Sequence, residues 1–531
     1  MLLSFANVPI NTLPADLWLA IAPETATIED GLERFLLVLA VSLSDATLSR
    51  TVGIQRIIPY TRLLTIVGSL LAFENVRRVD LSPELILEIF LPPLLFEAGW
   101  NLRWKDLKRD WVPVVLFAIA GVVVSVLGIA IVLQHFAGIP LPVSLLIGAS
   151  LAATDPVSTI ALFRELGVEK RLTTLMEGES LFNDGVAVVA FGLLVGIATG
   201  VQGFNPQQTL ADFAVFVGVG VAMGSAVGFG ISYLTQRFDL PLVEQSLTLV
   251  SAYGTYVVAE NLGGSGAIAV VTTGLILGNF GSRIGMNPRT RLVVTEVWEF
   301  IAFFTNSIVF LLIGDSIRFD SLIEHRGSIG VAIAAVVVTR AGVIYGLGTI
   351  SNGIANSNIT VPQKTVLWWG GLRGSVSIAL ALSVPEILPQ RSEAIDIVFG
   401  VVLFTLLIQG LSIKSLLQKL SLLDEGSRRA EYAEAVARRS ALGKVGKRLE
   451  SLTAPEVDEE FLRYKREQVR GEIASLNEAI AKMCREDPDV AEYATELVSE
   501  ELCEIEAETY AELVRTGQLN QDLAPLLQGS E

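Results

Sequence analysis

Long apolar segments recur from about residue 33 to residue 419 and are separated by short polar stretches. A helix that crosses the hydrocarbon core of a bilayer needs about 20 predominantly apolar residues. Windows of that length predict thirteen spans, with approximate limits 33–52, 57–73, 83–101, 111–134, 141–165, 174–199, 210–235, 242–261, 265–281, 292–315, 328–350, 363–384 and 394–419. The pattern therefore predicts an all-α polytopic membrane protein with about thirteen transmembrane helices.

The apolar pattern ends at Leu423, and a charged sequence follows it. Between Glu459 and Met483, and again between Asp489 and Val514, apolar residues recur at helical spacing among many acidic and basic side chains. We divide the chain into an N-terminal segment (1–32), a transmembrane domain (33–423) and an acidic, helical cytoplasmic tail (424–531). Two interpretations of the tail stay open: a solvated extension, or a domain that stabilises a dimer or binds a cytoplasmic regulator.

Composition agrees with a membrane protein, since 51% of the 531 residues are hydrophobic and the mean hydropathy is +0.55. The formal net charge is −17, and residues 424–531 carry 25 acidic against 14 basic side chains. This acidic balance argues against nucleic acid as a partner and against a lipid-binding polybasic tail. The two cysteines cannot form a disulfide framework or a metal site. The first thirty residues lack a basic start, so we expect no cleaved signal peptide.

Loop charge predicts the orientation. The loops after odd-numbered spans hold fifteen Lys and Arg residues, whereas the loops on the other side hold six. Because Lys and Arg are enriched in cytoplasmic loops, we expect the N-terminus outside and the C-terminus in the cytoplasm. The chain is then a multi-pass protein of the cell membrane.

One predicted span contains the polar residues Thr154 and Asp155, followed by Pro156, which breaks a helix. Neither polar nor helix-breaking residues are expected in the hydrocarbon core of a bilayer. Proline lacks an N–H group and its ring crowds the carbonyl of Ala152, so the helix should be interrupted there. Open backbone at membrane depth is tolerated only where it lines a cavity or is covered by protein. Freed carbonyls, the Thr154 hydroxyl and the Asp155 carboxylate would suit a hard cation such as Na⁺. The alternative is a simple proline kink capped by Asp155.

The next span carries a second polar cluster, whose faces follow from the rotation of about 100° per residue in an α-helix. Ser180 and Asp184 are four residues apart and share one helix face. This face can meet Thr154 and Asp155 on the preceding span. A carboxylate deep in a bilayer costs a few kcal/mol or more. We therefore interpret Asp155, Glu179 and Asp184 as parts of an ion or proton pathway.

Glu179 and Asn183 share the adjacent face of the same helix. A buried Glu179 needs a cationic partner or must be protonated. Arginines inside the spans are few, and Arg340 in the eleventh span is the best candidate partner. A Glu179–Arg340 pair would hold helices together, whereas Arg340 alone could be a residue that snorkels to the membrane surface.

A third cluster, Gly370 to Ser375, places three glycines and Arg373 within the twelfth span. Glycines weaken a helix, so each half of the domain holds one interrupted span. Paired interruptions are the sequence pointer to transporters built from inverted repeats, whose half-helices cross near the membrane midplane. A glycine-rich packing contact is the simpler alternative.

Other polar residues within or near spans carry weaker signals. Glu97 could line a funnel or gate, or lie at the membrane interface. Asn306 also falls inside a predicted span. Glu244, Glu260, Glu296 and Glu299 lie near span ends, where we expect them to face water or headgroups. His135 and His325 fall in predicted loops, so intramembrane carboxylates must carry any transported proton.

These motifs together resemble the monovalent cation:proton antiporters, in the Na⁺/H⁺ exchanger branch that contains the NhaP-like prokaryotic proteins. The resemblance covers residues 33–419. Its carriers, in this order, are Leu95-Phe96-Glu97-Ala98-Gly99, Thr154-Asp155-Pro156, Glu179-Ser180-Leu181-Phe182-Asn183-Asp184-Gly185 and Gly371-Leu372-Arg373-Gly374. It implies two interrupted, crossing helices beside a dimerisation bundle, hence a homodimer in membrane lipid.

The resemblance also implies a site. The family's ion-binding aspartate falls on Asp184, with Asp155, Thr154 and Ser180 nearby. Its structural acid–arginine pair falls on Glu179 and Arg340.

Arg373 matches the arginine of the family's glycine-rich interrupted helix. Asn183-Asp184, rather than two acids, is similar to the pattern of the electroneutral exchangers.

The expected function is secondary active transport, with Na⁺, or also Li⁺, and H⁺ competing for Asp184. No cofactor is expected beyond the transported ions. K⁺/H⁺ exchange is an alternative, because oxygen ligands alone do not fix the radius of the ion. A cation channel with a cytoplasmic sensor tail is a further one. An enzyme is not expected, because the spans contain no nucleophile–histidine or zinc-protease motif.

Overall fold

The computed structural model describes residues 60–73, 83–155, 157–201, 205–235, 240–282, 286, 288–451 and 459–515. The N-terminal segment 1–32, the predicted first span 33–52 and Pro156 lie outside these residues. All regular secondary structure in the described part of the chain is helical.

We number the helices in chain order. Short π-helical stretches precede α2, lie within α4 and α16, and follow α10. The bounds are α1 Tyr60–Phe73, α2 Leu91–Asn101, α3 Trp104–Arg109, α4 Trp111–Ala137, α5 Leu141–Ser150, α6 Val157–Leu166, α7 Lys170–Ala198, α8 Pro206–Thr235, α9 Pro241–Asn261, α10 Gly266–Ile276, α11 Pro288–Asp315, α12 Phe319–Glu324, α13 Arg326–Ala355, α14 Val361–Trp369, α15 Ser375–Leu382, α16 Arg391–Lys419, α17 Leu422–Ser451, α18 Glu459–Glu486 and α19 Pro488–Arg515.

Six of the described helices are long and apolar enough to cross a bilayer: α4, α7, α8, α11, α13 and α16. Two further apolar helices, α5 and α10, are shorter. These helices confirm the prediction of an all-α, multi-pass membrane protein. The count of thirteen spans and the orientation of the termini stay predictions.

The described transmembrane helices pack as two groups. In the first group, α11 packs on α1 and α2, and α10 packs on α2, α8 and α9. In the second group, α4 packs on α5 and α13, α5 packs on α7, and α15 and α16 pack on each other. Where the two groups meet, α7 contacts α2, α8 and α10, and α15 contacts α11. The candidate site lies between them.

Two spans are interrupted where the sequence predicts it. Helix α5 ends at Ser150 and α6 begins at Val157, while α14 ends at Trp369 and α15 begins at Ser375. The second interruption follows α14, whose start is fixed by a capping box: Thr360 Oγ1 accepts from Gln363 N, and Gln363 Oε1 accepts from Thr360 N. Inverted-repeat symmetry stays a prediction.

The charged tail contains three helices, α17 to α19. They share a small apolar cluster built on Tyr432, Ala435, Ile480 and Val490. Apolar residues at helical spacing among charges therefore find partners within the tail itself. Its division at residue 424 and its role as a cytoplasmic domain stay predictions.

One expectation is wrong. The Glu244 side chain is only 2% exposed and does not face water. Helix α9 begins at Pro241, and the Glu244 carboxylate turns back over the first turn to accept a hydrogen bond from the Leu240 amide at 3.2 Å. Glu260, Glu296 and Glu299 are exposed, as expected.

Candidate ion-binding site

The two helix interruptions cross and bond to each other. The Asp155 backbone N–H donates to the Leu372 carbonyl at 2.8 Å, and the Thr159 hydroxyl donates to the Gly370 carbonyl at 3.2 Å. Each break leaves backbone groups without helical partners. These two contacts satisfy the Asp155 N–H and the Leu372 carbonyl across the crossing, and the Gly370 carbonyl through Thr159 of α6. Gly374 allows the closest approach, because a Cβ atom at this position would collide with the Asp155 carboxylate.

Arg373 is buried at the crossing and is 1% exposed. Its Nη1 donates to the carbonyls of Ala152 and Ala153, at 2.9 Å each. These carbonyls follow the end of α5, where the half-helix leaves its own acceptors unsatisfied. The guanidinium therefore stabilises the end of the half-helix, and its own amide is held by the Thr405 hydroxyl at 3.1 Å.

Thr154 is tied to the polar face of α7 by four hydrogen bonds. Asn183 Nδ2 donates to Thr154 Oγ1 at 2.6 Å, and Thr154 N donates to Asn183 Oδ1 at 3.2 Å. Thr154 Oγ1 lies 3.2 Å from Ser180 Oγ, and the Ser180 hydroxyl also donates to the Thr154 carbonyl. The break is thus positioned by α7, with oxygen atoms concentrated at the contact.

Asp184 and Asp155 line one cavity of about 240 Å³, together with Thr154 and Ser180. Asp184 Oδ1 is buried and makes no hydrogen bond within the described residues. The four residues that the sequence predicts for the ion site are therefore adjacent. A carboxylate, a second carboxylate and two hydroxyls form an all-oxygen set of the kind that hard cations prefer.

Glu179 and Arg340 form a buried ion pair. Arg340 Nη1 donates to Glu179 Oε1 at 3.1 Å, and Nη2 donates to Oε2 at 3.0 Å. Asn183 Nδ2 also lies 3.1 Å from Glu179 Oε1. The pairing proposed from the scarcity of membrane arginines is present as a bidentate contact, and neither residue belongs to the cavity lining.

Glu97 lines the same cavity from α2, and its Oε1 accepts a hydrogen bond from Asn101 Nδ2 at 2.6 Å. Glu177 lines it from α7. Glu177 and Asn101 are not among the site residues predicted from the sequence. For Glu177 a signal existed, because residues 177, 180 and 184 follow the i, i+3, i+7 spacing of one helix face. The cavity thus extends from Asp184 toward the ends of α2 and α7 beside residues 102–110.

Crossed, interrupted helices around a polar site deep among apolar helices are the architecture of secondary transporters. A family model described as "Sodium/hydrogen exchanger, transmembrane" matches residues 36–419. The chain belongs to this family of transporters, which are not enzymes.

Similar proteins extend the match into the tail. The Na⁺/H⁺ antiporter ApNhaP of Aphanothece halophytica is 59% identical over 503 residues, covering 94% of this chain and 96% of that protein. The low-affinity Na⁺/H⁺ antiporter NhaS1 of Synechocystis sp. is 57% identical over 509 residues, covering 95% and 97%. The structure of the sodium proton antiporter MjNhaP1 from Methanocaldococcus jannaschii at pH 8 superposes with a TM-score of 0.61 at 20% identity, covering 74% of this chain and 99% of that one. This last likeness supports the fold.

Proposed function

We propose that this protein exchanges Na⁺ for H⁺ across the cell membrane and that the two ions compete for the Asp184 carboxylate. The observation that carries the proposal is the buried Asp184 Oδ1, which makes no hydrogen bond in the described part of the chain although it lines the cavity. A buried carboxylate oxygen without a partner is costly. A bound cation or a proton removes that cost, and both cannot occupy the group at once.

Asp155, Thr154 and Ser180 would complete the cation site. Their carboxylate, carbonyl and hydroxyl oxygens suit Na⁺, and also Li⁺, because both are hard cations. The names of the two relatives that cover nearly the whole chain, both Na⁺/H⁺ antiporters, support sodium as the transported cation.

Transport would follow from relative movement of the two helix groups. All four proposed ligands lie in the second group: Ser180 and Asp184 on α7, and Thr154 and Asp155 in the break between α5 and α6. The first group supplies the facing wall through α2 and α11. If the second group shifts as a unit, the site is exposed first to one side of the membrane and then to the other.

The exchange would be electroneutral. The Glu179 charge is balanced by Arg340 at 3.0 Å, and the residue beside Asp184 is the neutral amide Asn183. A single carboxylate that carries either one Na⁺ or one H⁺ has the same charge in both crossings. The rate should then be unaffected by a membrane potential imposed with K⁺ and valinomycin.

The decisive experiment uses purified protein in liposomes that contain a pH-sensitive dye. Na⁺, Li⁺ and K⁺ are added separately, to wild type, to Asp184→Asn and to the control Asp212→Asn, whose carboxyl group lies on α8 outside the cavity. We expect saturable, Na⁺-driven proton release in wild type and control, and none in Asp184→Asn. Full exchange in Asp184→Asn would refute the assignment. A response to K⁺ alone would indicate K⁺/H⁺ exchange, and a flux that does not saturate and conducts charge would indicate a channel.

We further propose a homodimer in the membrane, with the N-terminus outside and the C-terminal tail in the cytoplasm, where the tail could bind a regulator. Cross-linking in intact cells and protease access to the tail in inverted vesicles test these two statements separately.

A further inference from the structure

Asn306 lines the cavity from the first helix group. It lies on α11, its side chain is 6% exposed, and it belongs to the same cavity lining as Asp184, Asp155 and Ser180. Within the described residues, no hydrogen bond joins its amide to another group. A polar side chain this deeply buried is normally hydrogen-bonded.

Other polar residues on α2 and α11 are different in this respect. Asn101 and Glu97, on α2, bond to each other at 2.6 Å. On α11 itself, the Ser307 hydroxyl donates to the Phe303 carbonyl at 2.7 Å. Asn306 makes no such contact within the described residues, so its carboxamide is available to a partner that enters the cavity.

The chemistry of that partner follows from the surroundings. The facing wall carries Asp184 and Asp155, so an entering anion would be repelled by the two carboxylates. A carboxamide oxygen is a regular ligand of hard cations, beside carboxylate and hydroxyl oxygens. The cavity therefore favours a hydrated or partly dehydrated monovalent cation as the partner of Asn306.

We propose that the Asn306 carboxamide oxygen contributes a ligand, directly or through one water, to the cation at Asp184 while this cavity is open. The proposal rests on the Na⁺/H⁺ exchange proposed above. Because Asn306 belongs to the first group and the other ligands to the second, movement of one group against the other breaks this contact. Asn306 then strengthens cation binding on one face of the membrane only.

The position of the cavity indicates which side of the membrane this is. It extends toward Glu97, Asn101 and Glu177, at the helix ends beside residues 102–110. The sequence predicts that this loop is cytoplasmic. The KM for Na⁺ should therefore depend on Asn306 at the cytoplasmic face and not at the outer face.

The experiment measures the KM and the maximal rate for Na⁺ separately at the two faces, in inverted and in right-side-out vesicles. Asn306→Leu keeps the branched shape of the side chain, although leucine is larger, and removes the oxygen, whereas Asn306→Asp keeps an oxygen at the same place. Ser307→Ala is the matched control, since it removes a buried polar group from the same helix outside the cavity.

We expect Asn306→Leu to raise the cytoplasmic KM about three- to tenfold, the usual effect of losing one neutral ligand or hydrogen bond. The outer KM should stay unchanged, and Asn306→Asp and Ser307→Ala should not raise either value. An unchanged cytoplasmic KM in Asn306→Leu would overturn the proposal. So would an equal rise at both faces, or an equal rise in Asn306→Leu and Asn306→Asp. Wild-type protein without Na⁺-driven exchange would instead refute the proposed function itself.

Discussion

The guanidinium of Arg340 and the carboxylate of Glu179 meet in parallel, with Nη1–Oε1 and Nη2–Oε2 distances of 3.1 and 3.0 Å. The Glu179 side chain is 3% exposed. Arg340 also donates to the carbonyls of Leu367 and Trp368, at 3.0 and 3.2 Å. The pair therefore joins α7, α13 and the end of α14 directly behind the ion site.

Glu179→Ala should destabilise the protein by about 3–5 kcal/mol, because it leaves a buried, unpaired arginine. The double variant Glu179→Gln/Arg340→Met should recover part of this loss, since neither buried charge remains. Thermal unfolding in detergent measures both. Asp106→Ala is the control, because its partner Arg103 is 35% exposed and such pairs contribute about 0–1 kcal/mol. A wild-type melting temperature in Glu179→Ala would contradict the structural role of the pair.

Gly374→Ala should abolish transport while the protein still folds in the membrane. A Cβ atom at this position collides with the Asp155 carboxylate, so Asp155 must move away from the other ligands. Gly342→Ala is the matched control within α13, where a Cβ atom meets nothing within 4 Å; it should leave transport intact and stabilise the helix by up to about 1 kcal/mol. Transport assays at equal amounts of folded protein check both. Wild-type transport by Gly374→Ala would show that the close approach is dispensable.

Arg373→Ala should lower stability more than it lowers cation affinity. The change removes both hydrogen bonds to the Ala152 and Ala153 carbonyls. The Ala153 carbonyl keeps the Ser377 hydroxyl as a donor at 3.3 Å, whereas a buried acceptor left unsatisfied, such as the Ala152 carbonyl, costs about 1–3 kcal/mol. Arg373→Lys should recover only part of the loss, because an ammonium cannot reproduce the planar fork. Melting temperatures decide this, with the exposed Arg318→Ala as the neutral control. Equal stability of wild type and Arg373→Ala would argue that the carbonyls find other donors.

Protons should compete with Na⁺ at one group. If Asp184 carries either ion, acidification on the side where Na⁺ is added raises the KM for Na⁺ and leaves the maximal rate at saturating Na⁺ unchanged. In the range where the carboxyl group is mostly protonated, the KM should rise about tenfold for each unit of pH. Initial rates over a grid of Na⁺ concentrations and pH values test this. A maximal rate that falls with acidification at a constant KM would indicate separate sites.

The sequence predicts the interrupted helices for clear physical reasons. Proline and clustered glycines cannot support a regular helix, and polar residues at membrane depth require protein around them. Glu179 and Arg340 could be paired from the sequence because few charges fall inside the spans and each needs a partner. The roles of these residues in transport stay predictions.

Other contacts carry no comparable signal. Arg171 Nε and Nη2 bind the Asp110 carboxylate at 2.9 and 2.6 Å, yet in the sequence both are ordinary loop charges. The burial of Glu244 depends on how the first turn of α9 folds back, which span counting does not describe. The π-helical stretches in α4 and α16 are local changes of register that leave the apolar pattern unaltered.

Asn183 donates a hydrogen bond to the Thr154 hydroxyl at 2.6 Å. Because its side chain is a neutral amide, it adds no second charge to the ion site beside Asp184. Under the exchange proposed above, voltage then contributes nothing to the driving force, and the sodium ratio across the membrane can only match the proton ratio, about tenfold for each pH unit. Such a protein lowers the cytoplasmic sodium concentration below the outside concentration only while the surroundings are more acidic than the cytoplasm. In alkaline water the same cycle would let sodium in.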